Sequence, residues 1–194
     1  GRVARLSDSR GEISYSPAGE ERWVEVLRNR PLTRGDRLWS ARGARAEVQI
    51  GSAAVRMGPD TGLSILELDD RIAQFELTQG TLNIGVRRLF RGQTIEVATP
   101  TLAFVISRAG RYRIDVDADY EETTIVVWEG SGEALGEDGN FPLRAGDAVR
   151  FHSADMRDYR MFALPQSDPF DRWCLARDRR LGQSGSLRYV DDDL

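Results

Sequence analysis

Nineteen glycines punctuate this chain of 194 residues, and between them apolar residues alternate with polar ones instead of recurring at helical spacing. A strand turns successive side chains to opposite faces, so this rhythm specifies many short strands joined by tight turns. The expected strands are Val3 to Leu6, Glu12 to Tyr15, Arg37 to Ser40, Ala46 to Ile50, Ala53 to Met57, Leu63 to Leu68, Ile72 to Leu77 and Thr81 to Val86. After a longer loop come Ile95 to Ala98, Leu102 to Ile106, Tyr112 to Val116, Thr123 to Trp128 and Ala148 to Phe151, with Glu133 to Leu135 a weaker candidate. Asp8-Ser9-Arg10-Gly11 suits a type I turn, which predicts a hairpin between the first two strands.

Two corners are written twice. Leu32-Thr33-Arg34-Gly35-Asp36-Arg37-Leu38 and Leu143-Arg144-Ala145-Gly146-Asp147-Ala148-Val149 share the pattern L-x-x-G-D-x-apolar. The Gly supplies positive φ and the Asp bonds nearby backbone N–H groups, so each motif turns the chain sharply into the next strand. Leu77-Thr78-Gln79-Gly80 and Val127-Trp128-Glu129-Gly130 likewise end an apolar strand in a polar residue and Gly, as stacked rungs of a β structure do.

Helical periodicity occurs once, from Asp168 as N-cap and Pro169 at the first helical position, with Phe170, Trp173, Cys174, Arg177 and Leu181 on one face and Gly182 as C-cap. The expected architecture is all-β, a twisted β-solenoid or sandwich-like body of many short strands with one C-terminal α-helix. Its parts are a β body over 1–153, a connecting strand or linker over 154–167, a helix over 168–182 packed on the body, and a flexible acidic tail over 183–194.

Composition narrows the chemistry. With 194 residues the chain is one domain, or one domain and an appendage, and 40% hydrophobic content excludes intrinsic disorder. The formal net charge of −4 argues against nucleic acid as a partner. All 27 basic residues are Arg, which removes Lys from every catalytic role. One His152 and one Cys174 leave a single possible imidazole for a nucleophile–base pair and too few ligands for a Cys/His zinc site. No apolar stretch is long enough for a membrane helix. No catalytic residue, metal or cofactor is therefore expected.

Taken in order, Trp23, Leu32-x-x-Gly35-Asp36-x-Leu38, Ala46-x-Val48-x-Ile50-Gly51-Ser52-Ala53, Leu77-x-x-Gly80-x-Leu82, Val97-Ala98-Thr99-Pro100, Gly110-x-Tyr112-x-Ile114, Val127-x-Glu129-Gly130 and Leu143-x-x-Gly146-Asp147 resemble the FecR-type domain of Gram-negative envelope proteins. The likeness runs over about residues 20–152 and lies in the order of the motifs. It implies an extracytoplasmic, periplasmic β domain, which in sigma-regulator members receives a signal from an outer-membrane receptor. The chain as read shows no N-terminal anti-sigma segment, membrane helix or α/β signalling domain. It therefore looks closer to exported proteobacterial proteins in which a FecR-like body is followed by a helix like the segment at Phe170-Asp171-Arg172-Trp173. The function so implied is non-catalytic binding of an envelope component, a protein, in signalling or envelope organisation. The alternative is a hydrolase acting on envelope polysaccharide through paired carboxylates.

Arg87-Arg88-Leu89-Phe90-Arg91-Gly92 is the candidate partner-binding loop, because apolar residues between arginines combine interface anchors with charges for acidic groups. The plainer reading is that Leu89 and Phe90 plug the end of the β body while the arginines are solvated. Asp115, Asp117 and Asp119 alternate on one strand face and could hold Ca²⁺, but Tyr120 and Val126 break the EF-hand pattern, so an outer face of a hairpin is the plainer account. Glu121-Glu122 and Asp69-Asp70 are adjacent acids in turns, unlike the separated carboxylates of a glycosidase. His152 has no evident partner, and Cys174 reads as a small buried hydrophobe.

Overall fold

The computed structural model describes residues 2–188. It divides into two units, residues 1–164 and 165–194. The first is all-β. Its chain passes back and forth between two sheets, here sheet I and sheet II. β1 (Ala4–Arg10) lies in sheet I, β2 (Ile13–Ser16) and β3 (Val24–Glu25) in sheet II, β4 (Pro31–Leu32) in sheet I and β5 (Arg37–Ser40) in sheet II. The hairpin of β6 (Arg45–Ile50) and β7 (Ala53–Met57) returns to sheet I, and β8 (Thr61–Leu68) lies in sheet II. β9 (Ile72–Val86) starts in sheet II and finishes in sheet I. Hairpins then alternate: β10 (Thr94–Ala98) with β11 (Ala103–Ile106) in sheet II, and β12 (Gly110–Asp117) with β13 (Glu122–Glu129) in sheet I. β14 (Ser131–Leu135) with β15 (Asn140–Arg144) returns to sheet II, and β16 (Ala148–Phe151) with β17 (Tyr159–Phe162) to sheet I.

Across sheet I the order is β4-β1-β6-β7-β9-β12-β13-β16-β17, and across sheet II β3-β2-β5-β8-β9-β10-β11-β14-β15. Both sheets are open. The β9–β10 pairing is parallel and the other registers are antiparallel. One continuous core fills the space between the sheets, with Leu6, Val48, Leu82 and Ile114 from sheet I meeting Leu38, Phe75, Val97 and Phe104 from sheet II.

The repeated sequence corners are the places where the chain changes sheet. Gly80 and Gly130 both stand at φ +94, and they carry β9 from sheet II to sheet I and β13 in sheet I into β14 in sheet II. A Cβ on Gly80 would lie 2.2 Å from Thr61 Oγ1, so only glycine fits. At the other corner the buried Tyr112 hydroxyl donates to Arg108 O at 2.6 Å and accepts from Ser131 N at 3.0 Å. Burial pushes the Tyr112 phenol up, partly offset by the Ser131 N–H. The L-x-x-G-D motifs join β4 to β5 and β15 to β16, again between sheets. Asp36 accepts from the N–H groups of Thr33 and Ala18, and Asp147 accepts from that of Arg144.

Several expectations are corrected. β1 and β2 form no hairpin: at Gly11, with φ +75 and closely packed on Ala44, the chain leaves sheet I for sheet II, and β1 pairs instead with β4 and β6. Ile72 to Leu77 and Thr81 to Val86 are one strand, because Gly80 bends the ladder across the layers without ending it. The segment over 154–167, expected as a connecting strand or linker, does contain a strand, β17, at the edge of sheet I.

In the second unit, α1 (Pro169–Arg188) is a helix of 20 residues. Its start is a reciprocal cap: Asp171 N donates to Asp168 Oδ1 at 2.8 Å and Asp168 N donates to Asp171 Oδ2 at 3.1 Å. The rings of Phe170 and Trp173 stack, with centroids 5.9 Å apart. Gly182 is not the C-cap, and the helix runs past it into the stretch expected to be a tail. An interior glycine costs about 1 kcal/mol, too little to end a helix on its own, and the Ser184 hydroxyl bonds back to Arg180 O across that turn. The remaining acidic segment, residues 189–194, lies outside the described residues. No helix among the described residues is long and apolar enough to cross a membrane.

Candidate functional site

The loop of residues 87–93 closes one end of the β body where the two sheets meet. Because β9 folds over at Gly80, its last residue Val86 returns to the end from which Ile72 started, and the loop crosses from there to β10 beside Ile72. Hydrogen bonds fix both ends of this crossing. Arg87 N donates to Ser52 O at 3.0 Å, and Ser52 Oγ donates to Arg88 O at 2.6 Å, tying the loop to the β6–β7 turn. Gln93 N donates to Phe90 O, and Phe90 N donates to Gln93 Oε1. The Gln93 amide reaches Asp70 O at 3.3 Å, and Gly92 at φ +84 makes the final bend.

This frame separates Leu89 from Phe90. Leu89 is half-buried and packs on the core, the plug that the plainer reading assigned to both residues. Phe90 points outward and is 59% exposed. Arg87, Arg88 and Arg91 are exposed and make no ion pair among the described residues. Beneath Phe90 and Arg88 lies a pocket of about 180 Å³, lined also by Arg2, Ser52 and Ile95. The Arg2 Nε donates to Asp69 O at 2.9 Å, while its buried Nη2 has no hydrogen-bond partner. The Ile72 and Arg71 N–H groups hold the Asp69 carboxyl below the usual aspartate range, with Arg2 and Arg71 adding to the effect. A rigid loop with an outward ring and three uncompensated guanidinium groups can bind an apolar side chain beside carboxylates or phosphates.

The other sequence candidates have structural partners. Asp115 receives a two-point contact from Arg113, at 2.9 and 3.1 Å, and a bond from Thr81 Oγ1 at 2.6 Å. Asp117 turns onto Asp119 N, and no metal-ligating cluster forms among the described residues. Glu122 of the Glu121-Glu122 pair is the partner that sequence could not name for His152, with Nδ1 and Oε1 2.8 Å apart. Cys174 is buried. A cleft of about 620 Å³ in the first unit carries Glu133 and Asp147, but Asp147 caps its own corner and Glu133 is bonded by Asn140.

The sequence reading missed a buried ion pair. Glu47 on β6 and Arg56 on β7 stand opposite each other and meet at 2.9 Å, both side chains fully buried, with Ser7 Oγ adding a bond to Glu47 at 2.7 Å. The signal was present: a two-residue hairpin turn at Gly51-Ser52 fixes Glu47 opposite Arg56. They lie on the sheet face away from the core residues Val48 and Val55, among Asn83 and Arg113 in one cross-strand row.

Compared with protein-family profiles and with curated sequences, the chain gives no match. Among solved structures it is similar to two crystal structures of a candidate anti-sigma factor from Parabacteroides distasonis, at 15% and 13% identity and a TM-score of 0.56 each. Each match covers 66% of this chain and 59% of the other, so the chain spans less than two thirds of that protein's length. What the chain shares with them is the β fold.

Proposed function

We propose that this chain is a non-catalytic, extracytoplasmic FecR-type β domain that binds an envelope protein in signalling or envelope organisation, using the loop from Arg87 to Arg91. The motif order of the sequence and the fold likeness to a candidate anti-sigma factor support a regulatory role. The observation that carries the binding assignment is Phe90, 59% exposed on a loop pinned by hydrogen bonds and flanked by three arginines that make no ion pair among the described residues. A preorganised apolar anchor in a cationic rim loses little conformational entropy on binding and steers toward acidic partners. The test compares Phe90→Ala and Arg88→Ala with the parent chain in affinity capture from an envelope extract. Retention of the same partner by both variants would remove the loop from the interface, and turnover of envelope polysaccharide by the purified chain would overturn the non-catalytic reading.

A further inference from the structure

The four sheet edges of the β unit are not equally protected. β4 is two residues long and contains Pro31, β3 is two residues long, and β15 carries Pro142. These are ordinary devices against strand addition. β17, the remaining edge, has four residues and no proline.

Its register shows what it presents. His152 N donates to Asp158 O at 2.9 Å, and Phe151 stands opposite Tyr159, so the bonded pairs along β16 and β17 are 152–158, 150–160 and 148–162. Tyr159 and Met161 therefore aim their N–H and C=O groups away from β16, toward the open edge. Their side chains fall opposite Phe151 and Val149, on the core-facing side of the sheet, yet they are 46% and 53% exposed. Tyr159 packs edge-on against Phe141 of β15 at 5.0 Å, and Met161 lines the cleft of about 620 Å³ that opens between the two sheets at this end. Backbone groups and apolar side chains that an added strand would cover thus sit on the same two residues.

The opposite face of the edge carries charge. Arg160 lies directly across from Arg150, and like charges in that position repel. Arg150 approaches Glu122 at 3.9 Å, whereas Arg160 has no ion pair among the described residues.

We infer that β17 is a strand-addition site for an extended segment of a partner protein in which apolar residues alternate with acidic ones. The apolar side chains enter the cleft beside Tyr159, Phe141 and Met161, the acidic side chains on the other face neutralise Arg160, and the backbone completes the free hydrogen bonds of Tyr159 and Met161. A second copy of this chain is disfavoured, because the antiparallel register that uses the free groups of both Tyr159 and Met161 pairs each with the other and brings the two Arg160 residues together. This inference is independent of the loop from Arg87 to Arg91 and survives if that loop binds nothing.

The probes are two blocked octapeptides, one alternating valine with glutamate and one alternating valine with lysine, titrated into the full chain and followed by amide NMR. The valine–glutamate peptide is expected to shift and protect the amides of Tyr159 and Met161, and to bind more tightly than the lysine peptide by up to about fivefold, the upper range for one cross-strand charge pair. Arg160→Glu should reverse that preference, and Met161→Pro, which removes an outward N–H, should abolish protection. Equal binding of the two peptides, a preference unmoved by Arg160→Glu, absence of protection at Tyr159 and Met161, or self-association of the chain through β17 in sedimentation would each overturn the assignment.

Discussion

Replacing Gly80 by alanine tests whether the sheet-switching corner has any slack. Two effects add. At φ +94 an L-residue is held in a conformation that costs about 1–3 kcal/mol. The new Cβ also meets Thr61 Oγ1 at 2.2 Å, Thr61 Cα at 2.6 Å and Asp60 O at 2.7 Å, two of them backbone atoms that a rotamer change cannot move. Forced overpacking of this kind costs about 1–3 kcal/mol more. Against these, alanine stabilises by restricting the unfolded chain, by about 0.4–1 kcal/mol. The net loss is about 1–6 kcal/mol, set against the roughly 5–15 kcal/mol that holds an ordinary domain together. Two controls separate the contributions. Gly146 has φ +97 with nothing within 4 Å of a new Cβ, so Gly146→Ala isolates the backbone cost, about 1–2 kcal/mol. Gly139 has neither a positive φ nor a neighbour within 4 Å, so Gly139→Ala should be neutral or slightly stabilising. In urea, with a slope of about 2 kcal/mol/M, the Gly80→Ala midpoint should fall by about 0.5–3 M and the Gly146→Ala midpoint by less than that, under about 1 M. Equal midpoints for these two variants would show that the Thr61 turn yields freely and that the steric argument is wrong.

Three further outcomes follow from the polar groups. Arg56→Ala should destabilise by about 3–5 kcal/mol because it removes the guanidinium that faces the buried Glu47 carboxylate at 2.9 Å, while the double variant Glu47→Leu, Arg56→Met should recover most of the loss in the same unfolding assay; a neutral single variant would contradict the burial. Asp36→Ala, which removes a buried acceptor from two backbone N–H groups, should cost about 2–4 kcal/mol, against about 1 kcal/mol for Asp147→Ala, whose half-buried carboxylate accepts from one, and equal costs would refute this distinction between the two copies of the motif. Asp69 should titrate below the usual aspartate range by carboxyl NMR. Because its folded value is depressed, its contribution is present above the unfolded value and lost as pH falls through the folded one, and Arg2→Ala should move the midpoint little, since the Ile72 and Arg71 N–H groups dominate.

Strands whose apolar residues alternate without interruption, such as 46–50, 95–98 and 112–116, were legible because one face had to be buried. The corner motifs were legible as turns, but their common purpose was not. Glycine at φ near +94 is compatible with a hairpin, a bulge or a change of sheet, and only pairing partners tens of residues away distinguish these. The same ambiguity produced the erroneous β1–β2 hairpin, since a good turn sequence cannot report that the following strand belongs to the other layer. β3, β4 and β15 went unpredicted as strands because short edge strands have little periodicity to read. At the candidate site, sequence located the loop and its residue types. It could not separate Leu89, which fills the core, from Phe90, which faces out, because adjacent apolar residues in a loop have no fixed period. The partnership of His152 with Glu122 was invisible for the same reason as the sheet changes: it spans 30 residues and depends on the β13–β16 register.

The outward face of the Arg87 to Arg91 loop is the proposed interface with an envelope protein. The most direct measurement places a photo-crosslinking residue at Phe90 and irradiates the chain in an envelope extract, with the same substitution at Tyr120, an exposed turn residue, as the control. A discrete protein adduct from position 90, absent from position 120 and weakened by Arg88→Ala, is the predicted result. Adducts identical at both positions, or none at position 90 while the unmodified chain still captures its partner, would contradict the claim.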